Sequence, residues 1–177
     1  MGYLGGLVSI VLLPIIFTKY NQYCDVDSDR GAVAVEGGAL GESYLTPEYL
    51  NRGWDANDSL LFYNTTQGSA LLPYDFLLAL RQSGLNKFKC NRNGEVAAWL
   101  LCDRNIDRYR YLPQKATFFN KDALPVGFVK EPYQGKDYVG LTCAACHTGQ
   151  INYKDRALRI DGGHAMANMV MFLTELG

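Results

Sequence analysis

Charge of either sign is nearly absent as an excess. Seventeen Lys and Arg stand against eighteen Asp and Glu, a net charge of -1 over 177 residues. No strong electrostatic case therefore exists for nucleic acid or anionic lipid. Histidine is scarce, with two residues, His147 and His164. No second Cys or His pair stands at the spacing of a four-ligand zinc site. No internal repeat or low-complexity tract occurs. The glycines of Gly37-Gly-Ala-Leu-Gly lack the strand, the spacing and the helix of a dinucleotide site. The length suits one domain with a sizeable core and is too short for two ordinary ones.

What is plentiful is aromatic. Twelve Tyr and eight Phe suit a wall around a flat apolar cofactor as well as they suit an ordinary aromatic core. An apolar run over residues 3–17 precedes the first charged side chain, Lys19. It has no basic residue before it and no small-x-small site after it, so it reads as an uncleaved membrane anchor in preference to a cleaved signal. Roughly 18 uncharged residues at about 1.5 Å each reach about 27 Å, marginally enough to cross a bilayer. Of the five cysteines, Cys143 and Cys146 belong to one motif. Cys90 and Cys102 either pair as a disulfide, which export permits, or stay free. Cys24 lacks the small apolar context of a lipidated cysteine and reads as a free thiol. The organisation is then an anchor or signal segment over 1–19, an acidic, Gly-rich linker or ordered coil over 20–43, and one domain over 44–177.

Within the domain, Thr46-Pro-Glu-Tyr-Leu has the form of a helix start, with Thr46 as N-cap and Pro47 at the first helical position, stopping by Gly53. Residues 75–83 predict a short helix with Phe76, Leu77 and Leu80 on its apolar stripe, ended by Gly84. Residues 95–107 suggest another. Prolines at 113, 125 and 132 make residues 111–136 irregular and bar a long helix. Thr142 predicts the cap of a short helix over 143–148, closed by Gly149 as a left-handed residue. Ile151-Asn-Tyr-Lys and Ala157-Leu-Arg-Ile flank a tight turn and predict a hairpin. Met166, Met169, Val170 and Leu173 recur at helical spacing and predict the core-facing stripe of a terminal amphipathic helix.

Cys143-Ala144-Ala145-Cys146-His147 is C-x-x-C-H, the attachment signature of c-type haem. One helical turn separates the thiols, so each reaches one vinyl group on a porphyrin edge, and the next residue directs an imidazole at the iron. Alanines between the cysteines leave room for the porphyrin against the backbone. Chance placement would produce this string on the order of once in a thousand such chains. A redox-active C-x-x-C belongs at the start of a long helix after a strand, whereas a proline-broken loop leads in here. Cys143 and Cys146 are thus the expected thioether residues of a covalently bound haem c, and His147 the expected iron ligand. His164 reads as a cap or surface residue more readily than as a second ligand. The methionines at 166, 169 and 171 are alternative ligands, although core packing suits the first two better. Arg156 and Arg159 either pair with haem propionates or are solvated hairpin charge.

The segments Leu71-Leu-Pro-Tyr-Asp-Phe-Leu-Leu-Ala-Leu, Arg108-Tyr-Arg-Tyr-Leu-Pro-Gln, Leu124-Pro-Val-Gly-Phe-Val-Lys, Val139-Gly-Leu-Thr-Cys-Ala-Ala-Cys-His-Thr-Gly-Gln and Arg159-Ile-Asp-Gly-Gly have a familiar look together. They resemble the N-terminal part of bacterial di-haem cytochromes related to the cytochrome c peroxidases, among them the rubber oxygenases. The resemblance spans residues 44–176. It implies a mainly α, loop-rich c-type haem domain with a small β-hairpin, preceded by the apolar N-terminal helix. It also implies a periplasmic or otherwise extracytoplasmic oxidoreductase that reacts peroxide or oxygen at a His-ligated haem. Relatives of that kind carry a second C-x-x-C-H, so the resemblance implies a domain truncated at its C-terminal end, and no distal catalytic residue is named. The alternative is an electron-transfer cytochrome c without substrate chemistry. The expected partners are an electron donor or acceptor protein and, through residues 1–19, a membrane; nucleic acid is not among them. Iron, metal binding and membrane attachment complete the expectation.

Overall fold

Residues 12–18, 20, 30–84 and 87–176 are described by a computed structural model. After a short strand β1 (Glu48–Tyr49) come helix α1 (Ala56–Asn64), strand β2 (Leu72–Pro73) and helix α2 (Tyr74–Ala79). A hairpin β3 (Cys90–Arg92) and β4 (Glu95–Ala97) leads to helix α3 (Asp103–Asp107). Two longer hairpins follow, β5 (Phe128–Tyr133) with β6 (Lys136–Leu141) and β7 (Thr148–Tyr153) with β8 (Arg156–Asp161), joined by the one-turn helix α4 (Ala144–His147). Helix α5 (Met169–Leu176) comes last. The strands form three sheets ordered β1-β8-β7, β2-β6-β5 and β3-β4, with β1 parallel to β8 and every other pair antiparallel.

This overturns the mainly α expectation, because helix and strand are present in about equal parts. The physical reason lies in the turns. Asn93 (φ 52) with Gly94 (φ 84), and Gln134 (φ 49) with Gly135 (φ 75), are left-handed pairs at hairpin tips, the conformation whose twist matches that of antiparallel strands. The first pair converts the helix expected over 95–107 into a hairpin and leaves only its end helical. The second puts six-residue strands into the stretch read as irregular. The expected membrane-crossing helix is corrected as well: among the described residues no helix is long and apolar enough to cross a membrane. Residues 12–18 are helical and exposed; the rest of the 1–19 segment, and Cys24, lie outside the described residues.

Two further helix boundaries move. Residues 46–53 form no helix, because Glu48 and Tyr49 pair with Leu158 and Arg159 of β8. The helix starts instead at Asp55, whose carboxylate accepts the Asp58 N–H while the Asp58 carboxylate accepts the Asp55 N–H, a reciprocal capping box. Helix α2 ends at Ala79, before Gly84, because Leu80 turns extended and Arg81 bridges to Trp99. Its Leu77 is fully buried, whereas Phe76 is exposed.

The main core gathers Leu77, Leu100, Ile106, Leu124, Val139 and the five rings of Tyr74, Tyr109, Tyr111, Phe128 and Phe172. Phe172 of α5 meets Tyr109, Tyr111 and Phe128 edge-on at centroid distances of 5.3, 5.3 and 5.4 Å. Such pairs add about 0.5–1.5 kcal/mol each beyond burial. The end of α5 is tied down by the Tyr109 hydroxyl, which donates to Glu175 at 2.6 Å and accepts from Gln82 Nε2 at 3.0 Å. Phe172 therefore anchors this helix, while Met166, Val170 and Leu173 of the stripe expected inside are exposed.

Cys90 and Cys102 form a disulfide that ties β3 to the start of α3. Asn105 reinforces it from within, donating to the carbonyls of Phe88 (2.8 Å) and Trp99 (2.6 Å) and accepting the Phe88 N–H (2.8 Å). Closing a loop with a separation of 12 residues stabilises by about 3 kcal/mol through the unfolded chain. Reduction should lower the unfolding free energy by that amount, read as a lower denaturant midpoint, and a Cys90→Ser/Cys102→Ser chain should show the lower midpoint with or without reductant.

Candidate functional site

Helix α4 occupies the short link between the sheets, and local chemistry shapes it. The Thr142 hydroxyl, wholly buried, accepts the Ala144 N–H at 3.2 Å, and the Cys143 carbonyl accepts the His147 N–H at 3.0 Å. Thr142 is thus the cap that the sequence predicts. Gly149 is not the left-handed closure. It lies in β7, where a Cβ would come within 2.7 Å of the His164 carbonyl oxygen, so glycine there permits the return of residues 164–165 past the motif. The Ala165 N–H donates to the Cys146 carbonyl at 3.0 Å.

The turn divides its side chains cleanly. Ala144 and Ala145 are buried, whereas Cys143, Cys146 and His147 are exposed and both thiols are free. The buried alanines pack on Val126 and Tyr63 and on Gly127, whose φ is +89 and whose added Cβ would lie 2.2 Å from the Ala145 Cα. Their small size serves this backbone contact, which corrects the reading that they leave room for a porphyrin. The three residues expected to hold haem share the outward side. His164, Met166 and Val170 are also exposed, and the bond from Ala165 places the first two beside Cys146.

Beneath the motif, Tyr111 is buried with its hydroxyl lacking a hydrogen-bond partner among the described residues. Burial, and secondarily the neighbouring Cys146, pushes that phenol up to about 12. It stays neutral at physiological pH. On the other flank, Asp107 accepts the Ala39 N–H at 2.7 Å and lies 3.8 Å from Arg110. Burial raises its carboxyl above 3.8, against the lowering effects of that N–H and of Arg110.

The expectation of metal binding is corrected. Among the described residues no group of three or more His, Cys, Asp or Glu converges, because β-strand alternation and the one-turn helix scatter the acidic residues. Arg156 and Arg159 diverge too: Arg156 is exposed and paired with Glu48 at 2.8 Å, while Arg159 is fully buried. Arg156 is thus the solvated hairpin charge of one expectation, and Arg159 is not. The buried polar residues around Arg159 went unread in the sequence, although β8 shows the signal: Arg159 and Asp161 alternate with Leu158 and Ile160, and either set can face inward.

With this geometry in hand, known proteins add little. The chain is similar to an uncharacterized protein, y4iJ, of Sinorhizobium fredii (strain NBRC 101917 / NGR234), at 28% identity over 142 residues. The match covers 70% of this chain and 22% of that protein, so the chain spans less than a quarter of its relative's length. No family model matches. No solved structure matches either.

Replacing Gly127 by Ala should cost about 1–2 kcal/mol for the left-handed backbone and about 1–3 kcal/mol for overpacking. Urea titration should register a loss of roughly 3 kcal/mol. Asp107 supplies a pH test. Its folded-state pKa is above the unfolded value, so the folded chain takes up the proton first and the cost of burying the charge disappears on acidification. The stability difference between wild type and Asp107→Asn should shift toward wild type as pH falls from about 7 to about 4, read from paired denaturant curves.

Proposed function

We propose that Cys143 and Cys146 hold a haem c by thioether bonds, that His147 ligates its iron, and that the protein is an extracytoplasmic oxidoreductase of the peroxidase or oxygenase type. The observation that carries this reading is the division of the motif turn: two free thiols and an imidazole face outward together while the residues between them are buried. A haem needs no side-chain cage, since the porphyrin supplies four of the iron ligands and the protein one or two. The absence of a convergent ligand cluster is therefore compatible with it. When bound, haem supplies one-electron chemistry toward peroxide or oxygen.

The chain's own residues perform the holding and the screening. Thr142 and the Gly127–Ala145 contact fix the spacing of the two sulfurs. Tyr111, neutral and buried beneath Cys146, backs the turn with an aromatic floor. Exposed Met166, next to the Ala165–Cys146 hydrogen bond, offers apolar surface near the motif turn, which would lower the dielectric around the group and limit water. The Cys90–Cys102 disulfide supports an oxidising compartment, in agreement with covalent haem attachment outside the cytoplasm. An electron donor or acceptor protein completes the reading.

A second reading, an electron carrier without substrate chemistry, draws on one feature. Met166 follows Ala165, whose N–H is bonded to Cys146, and Met/His ligation is common in carriers.

The chain produced with a haem-attachment system should stain for haem after denaturation and gain the mass of one iron-porphyrin. Cys143→Ser/Cys146→Ser should lose both while keeping the Cys90–Cys102 disulfide. A bare peptide mass in the wild-type chain would refute the proposal. Carbon monoxide added to the reduced holoprotein decides between the readings: a shifted spectrum supports the open-iron oxidoreductase, and an unchanged one the carrier.

A further inference from the structure

The sheet β1-β8-β7 is inverted with respect to ordinary burial. Tyr49, Arg159 and Gln150 stand in one row across its three strands, and Arg159 and Asp161 are almost wholly buried while Ile151 is exposed. A sheet that turns a guanidinium and a carboxylate inward and an isoleucine outward gives up hydrophobic burial, and a function is the usual reason.

The charges in this layer do not balance. Asp161 is fully engaged: it pairs with Arg30 at 2.8 Å and accepts the Tyr63 hydroxyl at 2.6 Å. Arg159 has no carboxylate within ion-pair distance among the described residues. Its Nε and one terminal nitrogen both donate to the neutral oxygen of Gln150, at 3.0 and 2.8 Å, and the other terminal nitrogen has no partner. The ring of Tyr49 lies between the two guanidinium groups, 3.5 Å from that of Arg30 and 5.8 Å from that of Arg159. The Tyr49 hydroxyl, also buried, makes no close hydrogen bond within the described residues and interacts with the Arg159 guanidinium. A ring face relieves a buried cation only in part, and less than a desolvated charge costs.

A cavity of about 270 Å³ opens onto this layer, lined by Arg30, Tyr49, Arg52, Trp54, Ser59 and Asp161 among others. Asp55 also lines it, but its carboxylate is taken up in the cap of α1. The two arginines and two aspartates of the wall cancel in formal charge. Arg159, directly behind Tyr49, adds one positive charge beside the cavity, while the first turn of α1 adds none, being capped by Asp55 with Asp58 alongside. Arg52 and Trp54 approach the cavity from the rim, near Gly162. A guanidinium fork beside an indole is suited to an oxyanion on a small organic body.

We propose that this cavity is a binding site for a small organic anion, a carboxylate or phosphate ester, held by Arg52 at the rim and drawn in by the uncompensated charge of Arg159 beneath Tyr49. The site is separate from the outward side of the motif turn: Tyr63, whose hydroxyl binds Asp161, packs on Ala144 from the buried side. It requires no haem.

Thermal unfolding of the full chain in constant ionic strength, with acetate, benzoate, inorganic phosphate or phenyl phosphate replacing chloride, tests this. Benzoate or phenyl phosphate should raise the midpoint saturably, and Arg52→Gln should weaken the apparent affinity at least tenfold. Lys136→Gln, a charge removed from a distant hairpin tip, should change it less than twofold. Saturation by inorganic phosphate alone would overturn the organic-ligand assignment. Shifts that are absent, fail to saturate, or persist unchanged in Arg52→Gln would overturn the site. Arg159→Met, if it folds, should be more stable than wild type in chloride and insensitive to the anions; an Arg159→Met chain that still responds like wild type would also contradict the proposal.

Discussion

The contact between the backbone of Gly127 and that of Ala145 is the constraint from which the rest of the molecule takes its form. It brings the start of β5 against the motif turn closely enough that no side chain fits between them. With the inner face so close, the alanines must turn inward, and the thiols and imidazole at the alternate positions of the turn must turn outward. The Thr142 N–H donates to the Gly127 carbonyl at 2.9 Å from the same place. The contact therefore also joins the two long hairpins and sets the direction in which β7 leaves.

Around that joint the protein uses two unlike cores. On one side Phe172, Tyr109, Tyr111 and Phe128 pack as interlocked rings, and apolar burial holds α5 to the β5–β6 hairpin. On the other, Arg30, Tyr49, Arg159 and Asp161 form a charged layer under the β7–β8 sheet. The first is inexpensive in free energy and suits a scaffold. The second costs desolvation that close hydrogen bonds only partly offset, which is the physical reason to look there for a ligand.

The parts of this arrangement governed by neighbours in sequence were readable. Thr142 as a cap, the β7–β8 hairpin, and the grouping of Cys143, Cys146 and His147 all follow from spacing within a single turn. The α1 start was also there to be read in Asp55 and Asp58, but a Thr-Pro pair earlier in the chain competed for it. Asn93-Gly94 carries a hairpin signature that competes with the helical reading of residues 95–107. What could not be read was long-range. Tyr49 pairs with Arg159 across more than a hundred residues, and the choice of which face of β8 turns inward depends on partners at positions 30 and 63. Met166, Val170 and Leu173 have perfect helical spacing, yet Phe172 wins the interior because three rings from distant segments receive it.

The proposed function places a haem on two thioether bonds at the outward side of the motif turn. The spectrum of the pyridine haemochrome of the purified protein measures this most directly, since the position of its α-band reports how many vinyl groups have been converted. A band at the position of a doubly linked haem c is the expected result; a haem b band, or no band from protein made with competent attachment machinery, would contradict the account.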